Sequence, residues 1–122
     1  MQALLLIAHG SRRAESNDEV RTLTEDLKTR AGASYSIVRC AFLELAEPSI
    51  PDGIELCVKD GATEVVVLPY FLSAGRHVVT DIPNEVRGKQ EEYPQVNIRI
   101  ASYLGANAGI PDLLLASASV PA

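Results

Sequence analysis

The sequence predicts an α/β domain: a single-domain, three-layer sandwich of about four parallel strands with helices on both faces. Three observations carry this. Strand-like apolar runs alternate with helix-like stripes in the order β-α-β-α-β-α-β-α, which favours a parallel sheet joined by right-handed crossovers. The third run, Val65-Val66-Val67, is continuously apolar, as befits a strand covered on both sides. A length of 122 residues suffices for one core but not for two domains of typical size, so residues 1–122 read as one domain.

Ala3 to Ala8 is the first buried strand. Ser16-Asn17-Asp18-Glu19 has the form of a capping box, expected to start a helix that lines up Val20, Leu23, Leu27 and Ala31 and ends at Gly32. Tyr35 to Phe42 is the second strand. Ser49 with Pro51 marks entry into a helix that turns Ile54, Cys57 and Val58 to the core and closes at Gly61. Glu64 to Tyr70 is the third strand, followed by a loop through His77. Asp81 is the expected cap of a third helix, with Pro83 in its first turn, Val86 inward and Tyr93-Pro94 as its stop. Val96 to Ala101 forms the fourth strand. Asn107, Gly109 and Pro111 then introduce a last helix through Leu113, Leu114 and Leu115, before a small-residue tail expected to fray.

Composition narrows the function. Apolar residues make up 47% and charged residues 22%, which is a globular rather than a disordered composition. The longest strongly apolar stretch, Val65 to Leu72, is far shorter than the roughly 18 to 20 residues that a membrane span needs. The chain enters its first strand without the pattern of a secretory signal, so the expected location is the cytoplasm. A formal charge of -5 disfavours a nucleic-acid partner. Cys40 falls in a strand pattern and Cys57 in a helix pattern, without metal-ligand spacing, so they read as two thiols rather than a disulfide.

The chain holds two histidines, and each lies in a glycine- and arginine-containing loop after a strand-like run. They are His9, in Ala8-His9-Gly10-Ser11-Arg12-Arg13, and His77, at the end of Phe71-Leu72-Ser73-Ala74-Gly75-Arg76-His77. Loops leaving the carboxyl ends of parallel strands line the ligand crevice, so both imidazoles are placed to face one site. Neutral imidazole binds transition metals and, with a pKa of about 6.5, accepts protons near neutrality. Either histidine alone is as well explained as a solvated loop residue; their matched positions favour function. Arg12 and Arg76 lead toward helix N-termini, an arrangement that suits an anionic ligand, although a surface arginine is ordinarily just solvated. Gly10 and Gly75 permit positive φ and close approach, or simply turn the chain. Glu44 and Glu47 follow the second strand on the same rim, as proton relays and ligand orienters or as solvated acids near a helix N-terminus. No GxGxxG turn, Walker loop or GxSxG elbow occurs, and Ser11 reads as a capping hydroxyl.

At these loops the chain resembles the small class II chelatases of the CbiX/SirB type, which insert divalent metal into sirohydrochlorin. The resemblance covers nearly the whole chain and is carried by Ala8-His9-Gly10-Ser11-Arg12, the Ala41–Pro51 stretch AFLELAEPSIP, the Leu68–His77 stretch LPYFLSAGRH and Asp81-Ile82-Pro83. It implies that His9 is the catalytic proton acceptor and a metal ligand and that His77 is a second ligand. Glu47 and the loop Phe71, Leu72, Ser73, Ala74, Gly75 and Arg76 would hold the macrocycle, with Glu44 and Arg12 as further site residues. It also implies a metal chelatase (a lyase) with sirohydrochlorin or a related polycarboxylated tetrapyrrole as substrate. Cobalt for cobalamin biosynthesis is the expected metal, iron for siroheme or nickel the alternatives, with no tightly bound cofactor. Longer relatives carry two similar halves, so a homodimer is the implied assembly. Asn107 stands near a position where many relatives have histidine, so a third histidine ligand is not carried over. Two other readings stand beside this one. Histidine-based phosphoryl transfer would use His9 as nucleophile, but Ala8 breaks its Arg-His-Gly signature. A carrier would bind metal or tetrapyrrole through the same ligands without turnover.

Overall fold

The computed structural model describes residues 1–121, with the side chain of His77 outside that description. Four strands, β1 (Gln2–Ala8), β2 (Ile37–Phe42), β3 (Glu64–Pro69) and β4 (Asn97–Ile100), form one sheet in the order β2-β1-β3-β4. Every pairing is parallel, with Ala8 beside Phe42 and Ile7 beside Pro69 at the carboxyl end. The connecting helices are α1 (Ala14–Ala31), α2 (Ile50–Lys59) and α3 (Ile82–Glu92), and α4 (Ile110–Ala118) follows β4.

Successive side chains of a strand point to opposite faces. Ala3, Leu5 and Ile7 of β1, with Val65 and Val67 of β3, therefore meet Ile50, Ile54 and Cys57 of α2 and Ile82 and Val86 of α3 in the main core. Leu4, Val38 and Val66 face the other way, under Leu27 and Ala31 of α1. Burial pushes the Cys57 thiol up to about 11, so it is protonated near neutrality, and Cys40 and Cys57 are both free. The α2 N-terminus is capped as its sequence predicts, Ser49 Oγ accepting from the Asp52 amide at 3.2 Å.

Four expectations change. Helix α1 starts at Ala14, so the Ser16–Glu19 box lies inside it. Asn17, itself buried, accepts from the Ser11 amide at 2.9 Å and donates to the Ser11 carbonyl at 2.8 Å, bracing the loop before the helix in place of an N-cap side chain. Ser11 Oγ does accept a backbone amide, that of Arg13, at 3.0 Å. His77–Asp81 forms a π turn rather than loop, and Asp81 makes no capping hydrogen bond to α3. Gly75 has no positive φ; its carbonyl instead accepts from the Val78 and Val79 amides, each at 3.1 Å. Finally, α4 forms as predicted but packs on the turn before it rather than on the sheet, leaving Leu113, Leu114 and Leu115 exposed.

Candidate functional site

In the order β2-β1-β3-β4, the connection from β1 leads toward one edge and the one from β3 toward the other, so a crevice opens between the ends of β1 and β3. Parallel pairing continues past the strand ends: the Leu43 amide donates to the Ala8 carbonyl at 2.9 Å, and the Glu44 amide to the His9 carbonyl at 3.1 Å. On the other side the Tyr70 amide donates to the Ile7 carbonyl at 2.8 Å. These bonds set Glu44 and Phe71 on either flank of His9. His9 Nε2 lies 3.1 Å from Glu44 Oε1, and its ring meets Phe71 edge-on, with centroids 6.2 Å apart. Both side chains of the His9–Glu44 pair are about half exposed, so the pair adds little to stability and stands open to a ligand.

Gly10 makes this closeness possible. It adopts φ +93°, and a Cβ there would fall 1.7 Å from the Glu44 carbonyl oxygen. Leu45, the next residue after Glu44, has φ +64°, a conformation costly for a branched side chain, and is exposed on the rim. Tyr70, Leu72 and Val79 are exposed as well, giving the crevice apolar borders.

Beside the pair lies a pocket of about 330 Å3 lined by Leu43, Glu44, Asp81, Asn84 and Glu85. Burial, and then the Asp81 charge, push the Glu85 carboxyl above its ordinary range, and its Oε2 is buried without a hydrogen-bond partner. Sequence reading missed both acids in this role; their i, i+4 spacing across the start of α3 is the signal that could have found them. Among the described residues, no three His, Cys, Asp or Glu side chains are arranged as a ready-made metal cage.

The structure brings His9, Glu44 and Phe71 together. The His77 backbone opens the π turn that ends at Asp81, which carries that loop back to the same pocket; its side chain lies outside the described residues. Leu72, Ser73, Ala74, Gly75 and Arg76 are exposed along the rim, as is Arg12. Asn107 caps a turn, its Oδ1 accepting from the Gly109 amide at 2.7 Å. Glu47 is turned elsewhere. It lines a separate groove of about 820 Å3 along the β2 edge with Arg21, Arg39 and Cys40. Arg21, which sequence reading did not single out, donates to the Glu47 carbonyl at 3.1 Å and lies over the Phe42 ring, fastening the loop after β2. That groove contains neither His9 nor Glu44, so the smaller pocket is the candidate site.

Fold and site define a doubly wound α/β protein whose carboxyl-rim crevice offers an imidazole, several carboxylates and flanking guanidinium groups to a ligand. The CbiX family model matches residues 3–119, and the chain belongs to that family. It is 40% identical over 91% of its length to a chloroplastic sirohydrochlorin ferrochelatase from Arabidopsis thaliana, covering 48% of that protein. It is 34% identical over 93% of its length to a sirohydrochlorin cobaltochelatase from Sulfolobus acidocaldarius, covering 87% of it. The crystal structure of the sirohydrochlorin chelatase SirB from Bacillus subtilis subspecies spizizenii in complex with cobalt superposes with a TM-score of 0.86 at 31% identity, over 97% of this chain and 50% of that one. Against relatives such as the Arabidopsis enzyme, the chain spans about half their length. None of its described helices is long and apolar enough to cross a membrane.

Proposed function

We propose that the chain is a sirohydrochlorin chelatase that inserts a divalent metal, cobalt first and iron or nickel as alternatives, acting in the cytoplasm as a homodimer without a tightly bound cofactor. The observation that carries this reading is the half-exposed His9–Glu44 pair at the β1/β3 switch point, in a family whose named relatives are chelatases.

Insertion exchanges the two pyrrole N–H protons of the ring for one divalent metal, which sheds water as the ring nitrogens replace it. The chain must therefore take up protons and hold the metal only transiently. With Nε2 held against Glu44, His9 Nδ1 would contact the metal first and, once the metal has passed to the ring, accept one pyrrole proton, Glu44 stabilising the imidazolium that forms; the second proton passes to bulk water. The His77 imidazole serves as second metal ligand; two protein ligands leave coordination positions for the ring. Arg12 and Arg76 face the ring's carboxylates, and the Phe71–Arg76 loop holds its edge. The apolar borders at Tyr70 and Leu72 suit the flat face of the ring.

The test is turnover. Purified chain is incubated anaerobically with sirohydrochlorin and cobalt, iron or nickel, and the absorption change is followed against the uncatalysed rate. Acceleration with at least one metal is expected. Binding without acceleration makes the chain a carrier, and no acceleration with any metal ends the chelatase reading.

A further inference from the structure

The turn after β2 holds a residue that its backbone does not suit. Leu45 has φ +64°, the one positive φ outside glycine among the described residues. In that left-handed region Cβ crowds the following carbonyl, so glycine and asparagine are its ordinary occupants. The chain follows that rule at Gly10, Gly32 and Gly61, each of positive φ. Packing does not offset the strain at Leu45. The residue is 55% exposed and, among the described residues, belongs to neither apolar core. For the fold alone, glycine would serve better there.

The strain persists because both sides of the turn are fastened. Upstream, the Leu43 and Glu44 amides are tied to the Ala8 and His9 carbonyls, and the Glu44 carbonyl presses on Gly10. Downstream, Arg21 holds the Glu47 carbonyl, and the Phe42 amide donates to the Pro48 carbonyl at 2.8 Å. Leu45 is thereby fixed directly after the residue that meets His9. Backbone strain enforced by its surroundings clusters at ligand clamps and active sites.

The position of Leu45 matches a need of the ligand. The pocket beside His9 measures about 330 Å3, the small end of ligand sites, so a tetrapyrrole has to lie across the rim rather than inside it. Arg12 and Arg76 answer carboxylates at the edge of the ring but not its apolar face. Leu45 follows β2 on one flank of His9, and Leu72, 74% exposed, follows β3 on the other. We propose that Leu45 is a substrate-contact residue: the left-handed turn stands its side chain against the apolar face of the ring, with Leu72 as its counterpart on the β3 flank. The contact deepens the chelatase reading and rests on it.

Anaerobic titration of the metal-free chain with sirohydrochlorin, followed by the fluorescence of the ring and paired with thermal unfolding, tests this. Leu45→Gly and Leu45→Asn relieve the strain and are expected to melt no lower than wild type. Both are expected to bind the ring about 10-fold more weakly, the scale of one leucine side chain left uncovered. Leu45→Met keeps an apolar side chain and is expected to bind within about threefold of wild type. With metal added, the loss in the glycine and asparagine variants falls on KM and not on kcat, because His9 and Glu44 are untouched. Glycine and asparagine variants that bind as wild type does, or that melt lower than wild type, overturn the contact and leave the chelatase reading standing. A wild type that does not bind sirohydrochlorin ends both.

Discussion

Replacing Gly10 by alanine strikes the contact that places His9 beside Glu44. The new Cβ would fall 1.7 Å from the Glu44 carbonyl oxygen, so one of the two loops has to retreat by more than about 1 Å to restore an ordinary carbon–oxygen separation. Alanine at φ +93° adds about 1–2 kcal/mol of backbone strain, and relief of the overlap about 1–3 kcal/mol more. Thermal unfolding is therefore expected about 10 °C lower, with most of the protein still folded at 25 °C. A displacement of this size breaks the 3.1 Å contact between His9 and Glu44, and misplacement by about 1 Å costs catalysis on the order of 100-fold. Gly32→Ala is the control: it too has positive φ, but nothing lies within 4 Å of its Cβ, so it is expected to lose some stability and keep full insertion activity. Differential scanning calorimetry and the anaerobic insertion assay read both variants. If Gly10→Ala retains activity within threefold of wild type, the interlock does not position the site.

Glu44→Gln keeps the shape but removes the charge facing His9, and is expected to lower kcat about 10-fold with little change in stability, the usual scale for a partner that orients a reacting group. Gly53→Ala places a Cβ 2.8 Å from Ala41 Cβ and 3.2 Å from Leu5 Cδ1; overpacking outweighs the helix preference of alanine, and urea unfolding should show a loss of about 1 kcal/mol. Glu55 accepts from Lys89 at 2.6 Å and from the Tyr93 hydroxyl, joining α2 to the end of α3. The Lys89 and Tyr93 hydrogen bonds hold the Glu55 carboxyl below its ordinary 4.5, so its stabilisation is complete above pH 4.5 and disappears as pH falls through the lowered value. Glu55→Gln should therefore be less stable than wild type at pH 7, with the gap narrowing below pH 4.5 in urea titrations; a gap independent of pH would refute the assignment.

The strands and their order along the chain were legible because a parallel sheet buried on both faces leaves continuous apolar runs such as Val65-Val66-Val67. The positions of His9 and of the Phe71–His77 loop followed from the same reasoning, since both leave strand ends. What sequence could not show depends on register. Glu44 meets His9 because Ala8 pairs with Phe42, and nothing local marks Glu44 rather than Glu47 for that contact. The Asn17–Ser11 brace overrode an apparent capping box because a buried amide satisfying both backbone groups of Ser11 competes with a surface N-cap. Asp81 is the cap that Pro83 in the first turn of α3 leads one to expect, yet it ends the π turn and lines the same pocket as Glu44 without a capping hydrogen bond. The leucines of α4 announce a helix correctly, but an apolar run does not say what it packs against, and Leu113, Leu114 and Leu115 stay exposed.

The central claim is that His9, held by Glu44 at the end of β1, takes the proton that metal displaces. The most direct measurement is the rate of cobalt insertion into sirohydrochlorin by His9→Ala against wild type, at saturating metal and with the fold verified by circular dichroism. Loss of a general base predicts a fall of about 100-fold or more. Insertion by His9→Ala at the wild-type rate would contradict the account.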